Sequence, residues 1–132
     1  MDLEKYRSLF VSEARKHLEE MEATAVNMKA DEVVSDAASE LFRHAHSIKG
    51  MAATMGYVPI KELAHRLEDL IVPLREANPV TERVREAIVR AIASLNDMVS
   101  EVEAGNIPQE LPADLVAFIE QAQKQGEDKK KL

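Results

Sequence analysis

Leu41-Phe42-Arg43-His44-Ala45-His46-Ser47-Ile48-Lys49-Gly50-Met51-Ala52-Ala53-Thr54-Met55-Gly56 is the stretch that decides the fold. Its apolar residues Leu41, Ala45, Ile48, Ala52 and Met55 recur in steps of three and four. That is the period of an α-helix with one face on a core; a half-buried strand would alternate every second residue. Gly56 then suits a helix C-cap, where a left-handed backbone costs glycine nothing.

The same period runs outward in both directions. Upstream, Leu3, Tyr6, Phe10, Ala14, Leu18, Met21, Ala25 and Met28 form a first apolar stripe, and Asp31 to Asp36 form a polar break with residues suited to capping. Downstream, Ile60, Leu63, Leu67, Leu70 and Leu74 form a third stripe, closed by Asn78-Pro79. Pro73 lies inside it and predicts a kink, because proline lacks a donor and crowds the preceding turn. A fourth stripe is Val84, Ile88, Ala91, Leu95, Met98 and Val102, with Thr81 as N-cap and Gly105 as stop. Pro108 and Pro112 mark a connector to a short last helix bearing Leu115, Phe118, Ile119 and Ala122. No segment alternates with period two over a strand length. The predicted fold is therefore all-α: an antiparallel four-helix bundle with a fifth, C-terminal helix packed against it. Residues 1–124 form the predicted domain, and 125–132 a charged tail expected to be disordered.

Composition narrows the function. The 132 residues suit one domain, and 45% apolar residues can fill a core. A net charge of −7 argues against nucleic acid and anionic membranes, both of which want a basic face. The chain has no cysteine, so neither a disulfide framework nor a thiolate metal site is available. The short apolar runs span no membrane, and Met1-Asp2-Leu3-Glu4-Lys5 is no signal peptide. A cytoplasmic protein with a protein partner is the expectation.

His46 is the residue that draws attention. It stands one position past core residue Ala45, about 100° round the helix, so it should flank the core face and reach solvent. Lys49 and Gly50 follow three and four residues later and share its surface. Gly50 is an anomaly: glycine inside a helix costs about 1 kcal/mol relative to alanine. That suggests a close approach to the backbone beside His46. Lys49 offers a mobile positive charge suited to a phosphoryl group. A neutral imidazole is a competent nucleophile, and histidine's reference pKa of about 6.5 keeps much of it neutral at pH 7. On the third helix, His65 and Glu68 lie away from the apolar stripe. If that side faces His46, Glu68 can accept the Nδ1 proton, fix the tautomer and leave Nε2 free, with His65 joining the network.

These residues resemble a known signature. Phe42 to Gly50 is similar to the His-x-x-Lys-Gly motif of histidine phosphotransfer (HPt) domains, and most closely to those of CheA-type chemotaxis kinases. The likeness continues through Met51 to Tyr57, Ala64 to Leu70 and Tyr6 to Ala14, and spans roughly residues 3 to 122. The intervals from His46 to His65 and to Glu68 fit the CheA type in particular. The resemblance implies a phosphocarrier that is no enzyme on its own. His46 would take a phosphoryl group from ATP, delivered by a kinase catalytic domain in cis or in trans, and pass it to an aspartate of a response-regulator receiver domain. Lys49, His65 and Glu68 would form its surroundings. The domain itself would bind no cofactor, ATP and Mg²⁺ being supplied by partner domains, and would be a monomer. Ala53 departs from the glycine found in many relatives, and Pro73 from an uninterrupted third helix.

Other readings of these residues fit less well. His17 and His44 lack comparable company and read as surface residues. Lys49 alone would be a solvated charge, Glu68 alone a helix-surface acid. Glu62-Leu63-Ala64-His65 matches half of a di-iron bundle motif, but no second Glu-x-x-His exists. A purely structural adaptor bundle leaves Gly50 without a reason. A free-standing HPt carrier in a multi-step relay would share the chemistry and differ only in context.

Overall fold

A computed structural model describes the backbone of residues 2–131 and the side chains of residues 2–125. Five helices are present among them: α1 (Leu3–Val26), α2 (Ser35–Met55), α3 (Val58–Arg75), α4 (Glu82–Glu103) and α5 (Ala113–Lys131). The first four form an antiparallel ring. α1 packs on α2 and α4, and α3 closes the ring between α2 and α4. α5 lies against α4 and touches α3. No strand is formed among the described residues, so the all-α expectation holds. The tail expected from residue 125 falls on a stretch whose backbone is helical to Lys131.

The stripes become the core. Leu18, Met21, Leu41, Ile48, Ile60, Leu63, Leu67, Ile71, Ile88 and Leu95 are fully buried. Each such side chain contributes about 1.5–3 kcal/mol, against about 0–1 kcal/mol for an exposed ion pair such as Arg90–Glu86. Apolar packing therefore holds the bundle. The stripe on α1 is overextended in the sequence reading: Leu3 and Tyr6 are exposed. Phe10 meets the ring of Tyr57 edge-on at 4.9 Å, and Tyr57 sits in the turn between α2 and α3. The first turns of α1 run past that turn, where no helix covers them.

Local signals set the helix ends. The Asp2 carboxylate accepts from Lys5 N at 3.1 Å, and the Thr81 hydroxyl from Val84 N at 3.1 Å. Both satisfy donors that a helix start leaves orphaned. Gly56 caps α2 in the left-handed region at φ 77°. The start of α2 departs from expectation: its N-cap is Val34, which has no capping side chain. Backbone pairing orders that loop instead. Asp31 N donates to Val80 O at 2.6 Å and Val80 N to Glu32 O at 3.0 Å, tying the α1–α2 connection to the α3–α4 connection. Pro73 falls in the last turn of α3, which stops at Arg75. Its disruption therefore coincides with the natural end of the helix, and its carbonyl accepts from Asn78 Nδ2 at 2.6 Å.

No helix among the described residues is long and apolar enough to cross a membrane.

Candidate functional site

The site lies where α2 and α3 run antiparallel. Ala45 and Ile48 anchor α2 to the core, and Leu63, Ala64 and Leu67 anchor α3, all of them fully buried. His46 follows Ala45 and so stands at the border of that contact, with 64% of its side chain exposed. Glu68 follows Leu67 and turns inward. At 4% exposure it is a buried charged residue among the described ones.

The ring and the carboxylate meet. His46 Nδ1 lies 2.8 Å from Glu68 Oε2. An ionised carboxylate only accepts, so Nδ1 carries the hydrogen and donates it. That tautomer leaves the Nε2 lone pair bare, and no hydrogen bond to Nε2 is formed among the described residues. Lys49 Nζ lies 2.6 Å from the other oxygen, Glu68 Oε1. Burial works to raise the pKa of Glu68. The Lys49 ammonium against Oε1 and the hydrogen bond from His46, with its charge, outweigh it and hold the carboxyl below the usual carboxylate range.

Three sequence expectations change. Lys49 is not a mobile surface cation: it is tied to Glu68, and only 27% of its side chain is exposed. His65 does not join the network. It is exposed on α3, with Nε2 3.9 Å from Asp69 Oδ1 one turn on, and it makes no hydrogen bond to His46, Lys49 or Glu68 among the described residues. His17 and His44, read as separate surface residues, meet across α1 and α2 with their Nδ1 atoms 2.9 Å apart. Their ring centroids are 5.1 Å apart, so the rings point at one another end-on, as a shared proton requires. Sequence spacing could not show this, because the two lie on different helices.

Gly50 stands open. Apart from its chain neighbours and its own helix backbone, a Cβ built there would meet no atom within 4 Å. The fold does not need this glycine, so any close approach comes from outside the domain. Phe42 and Arg75 also bear on the site. Phe42 stacks on His46, with centroids 6.0 Å apart and planes 13° from parallel, and the Arg75 guanidinium sits 4.3 Å from the Phe42 centroid. The four-residue spacing of Phe42 and His46 was the available signal. No group of three or more metal-ligating side chains is present among the described residues.

Comparison with known proteins decides the family. The Hpt domain family model matches residues 5–105, which takes in α1 to α4. The chain belongs to the Hpt domain family. This Hpt domain is 34% identical over 98 residues to the chemotaxis protein CheA of Listeria monocytogenes, covering 74% of the chain and 16% of that relative. It is 30% identical over 106 residues to CheA of Bacillus subtilis, covering 80% of the chain and again 16% of the relative. The chain thus spans about a sixth of the length of these CheA proteins. A solved structure, the phosphorylated P1 domain of CheA3 in complex with CheY6 from R. sphaeroides, matches the Hpt domain with a TM-score of 0.76 at 23% identity. That match covers 94% of this chain and 97% of the other, so it includes α5 as part of the fold. An Hpt domain is a phosphoacceptor and phosphocarrier, not a catalytic domain, and these CheA relatives are chemotaxis proteins.

Proposed function

We propose that His46 Nε2 is the atom that carries the phosphoryl group. The observation that supports it is the pairing of His46 Nδ1 with buried Glu68 while the opposite edge of the ring, which bears Nε2, stands in solvent. In the first step Nε2 attacks the γ-phosphorus of ATP held by a kinase catalytic domain. The N–P bond forms, the bond to the ADP oxygen breaks, and the ring becomes cationic with its Nδ1 hydrogen retained. Glu68 balances that charge from within hydrogen-bond distance. In the second step a receiver-domain aspartate attacks the phosphorus, the N–P bond breaks and the ring returns to neutral. No proton need enter or leave at His46 in either step. Lys49 holds Glu68 ionised, and open Gly50 admits the partner's surface. His65 stands outside the hydrogen-bonded set. Phosphoryl transfer depends on positioning and charge, so these few groups suffice.

ATP and Mg²⁺ belong to the partners in this reading, and the domain binds neither. The partners are a kinase domain and a response regulator, in the cytoplasm; the relative from R. sphaeroides, captured with CheY6, supports the second. The site is complete in one chain, so a monomer serves. The test is incubation with labelled ATP and a CheA catalytic fragment, comparing wild type with His46→Gln. Acid-labile, base-stable label on wild type and none on the variant is expected. Equal labelling of both would move the phosphoryl group to another residue.

A further inference from the structure

The Glu68 hydrogen bond fixes one point of the His46 ring, and one point does not fix a plane. An imidazole with 64% of its side chain in solvent can pivot about that bond and swing Nε2 away from a line of attack. In-line transfer needs the reacting atoms aligned, and a small misplacement is expensive in rate. The Phe42 ring supplies a wall. It lies one turn before His46 on α2, its plane within 13° of the imidazole plane. Phe42 is itself half-buried and packed against the core cluster, so it is not free to follow the histidine.

A second contact holds the wall. Glu68 stands opposite His46, and α3 runs antiparallel to α2. Arg75, two turns further along α3, therefore reaches the N-terminal side of Phe42. Its guanidinium lies 4.3 Å from the Phe42 centroid, well inside cation–π range. Arg75 occupies the last turn of α3, where a cation also complements the helix dipole. The chain of contacts runs from the end of α3 through Phe42 to the reacting ring.

We infer that Phe42 is a positioning residue for phosphoryl transfer: stacked on His46 and held by Arg75, it sets the plane of the imidazole so that Nε2 faces the incoming phosphorus. The inference rests on the reading of His46 as the carrier. Phe42 touches neither phosphorus nor nucleotide; it acts through His46.

The experiment compares wild type, Phe42→Leu, Phe42→Tyr, Arg75→Met and His46→Gln in loading by a CheA catalytic fragment over a range of domain concentrations. Leucine keeps apolar bulk on a helix but cannot stack; tyrosine keeps the ring. An aromatic contact of this kind corresponds to a rate effect of about three- to tenfold. Phe42→Leu is expected to lose about that much from the maximal loading rate, with the half-saturating concentration unchanged. Phe42→Tyr should restore it, and Arg75→Met should show a smaller loss of the same kind. The His46 ring-proton NMR signals, shifted by the Phe42 ring current, should move in Phe42→Leu and not in Phe42→Tyr. Wild-type loading by Phe42→Leu, with the label still on His46, overturns the positioning role and leaves the carrier role standing. A loss confined to half-saturation, or one that tyrosine does not rescue, also overturns it. Label on His46→Gln overturns the carrier reading, and the positioning role falls with it.

Discussion

Glu68 Oε2 receives the Nδ1 hydrogen of His46 at 2.8 Å across 22 residues of chain, and the two ends of that bond differ sharply in exposure. The carboxylate is rooted beside core residue Leu67, while the ring stands in solvent. The bond therefore transmits the rigidity of the core to an exposed imidazole. Glu68→Gln keeps the shape and removes the charge that balances the phosphorylated ring. Loading of His46 should fall on the order of 10–100-fold, the range seen when the hydrogen-bond partner of a metal-bound histidine is removed. The circular dichroism spectrum should stay that of a helical bundle. An unchanged rate would remove the carboxylate from the mechanism.

Lys49 governs the ionisation of that carboxylate. With Lys49→Met, burial still raises the Glu68 pKa, and the larger of the two contacts that lower it is gone. The pKa should rise. The acid limb of the loading rate against pH should then move to higher pH relative to wild type. A profile measured between pH 4 and 8 that superimposes on wild type would show that Lys49 does not hold Glu68 ionised.

The His17–His44 contact should make stability depend on pH. His44 is held below the ordinary histidine value, chiefly by burial, then by His17 and Arg43; Glu20 and Glu40 oppose this more weakly. Below about pH 6.5 the unfolded chain binds a proton at His44 that the folded chain resists, so stability is lost as pH falls through that window. Glu68 adds a second loss, beginning near the ordinary carboxylate value of about 4.3 and continuing down through its lowered folded value. The urea midpoint of wild type should drop between pH 7.5 and 5.5, and His44→Gln should flatten that drop while leaving the lower one. Equal slopes in both proteins would count against the pair.

Gly50 separates stability from function. Nothing in the chain obstructs a methyl group there, and alanine is the better helix former. Gly50→Ala should raise the unfolding free energy by about 0.5–1 kcal/mol. If a partner approaches the backbone at this point, the same change should slow loading or unloading of His46 severalfold. A variant both more stable and fully active would leave the glycine without a functional reason.

The helices, and the histidine proposed to react, were legible in the amino-acid pattern. Apolar steps of three and four are local, and burial of Leu41, Ala45, Ile48 and Ala52 follows from that period alone. The N-cap at Thr81 and the stop at Gly56 are local too, because caps act within one turn. His46, Lys49 and Gly50 share a helix face, so their company was legible in the spacing. The Glu68 contact was foreseeable only on the condition that its side of α3 turned toward α2.

That condition is met through the packing of α3 on α2, which also sets the partners. Lys49 is locked onto Glu68 because α3 brings a buried carboxylate within 2.6 Å of it, whereas spacing along α2 suggested a free cation. His65 falls outside the set because its position on α3 points it toward Asp69 and solvent. His17 meets His44, and Arg75 meets Phe42, through the packing of helices whose rotation and register no single stripe specifies. A stripe fixes which face of a helix is buried. The pairings at its edges depend on how two such faces slide and turn against each other, and that is settled when the whole core packs.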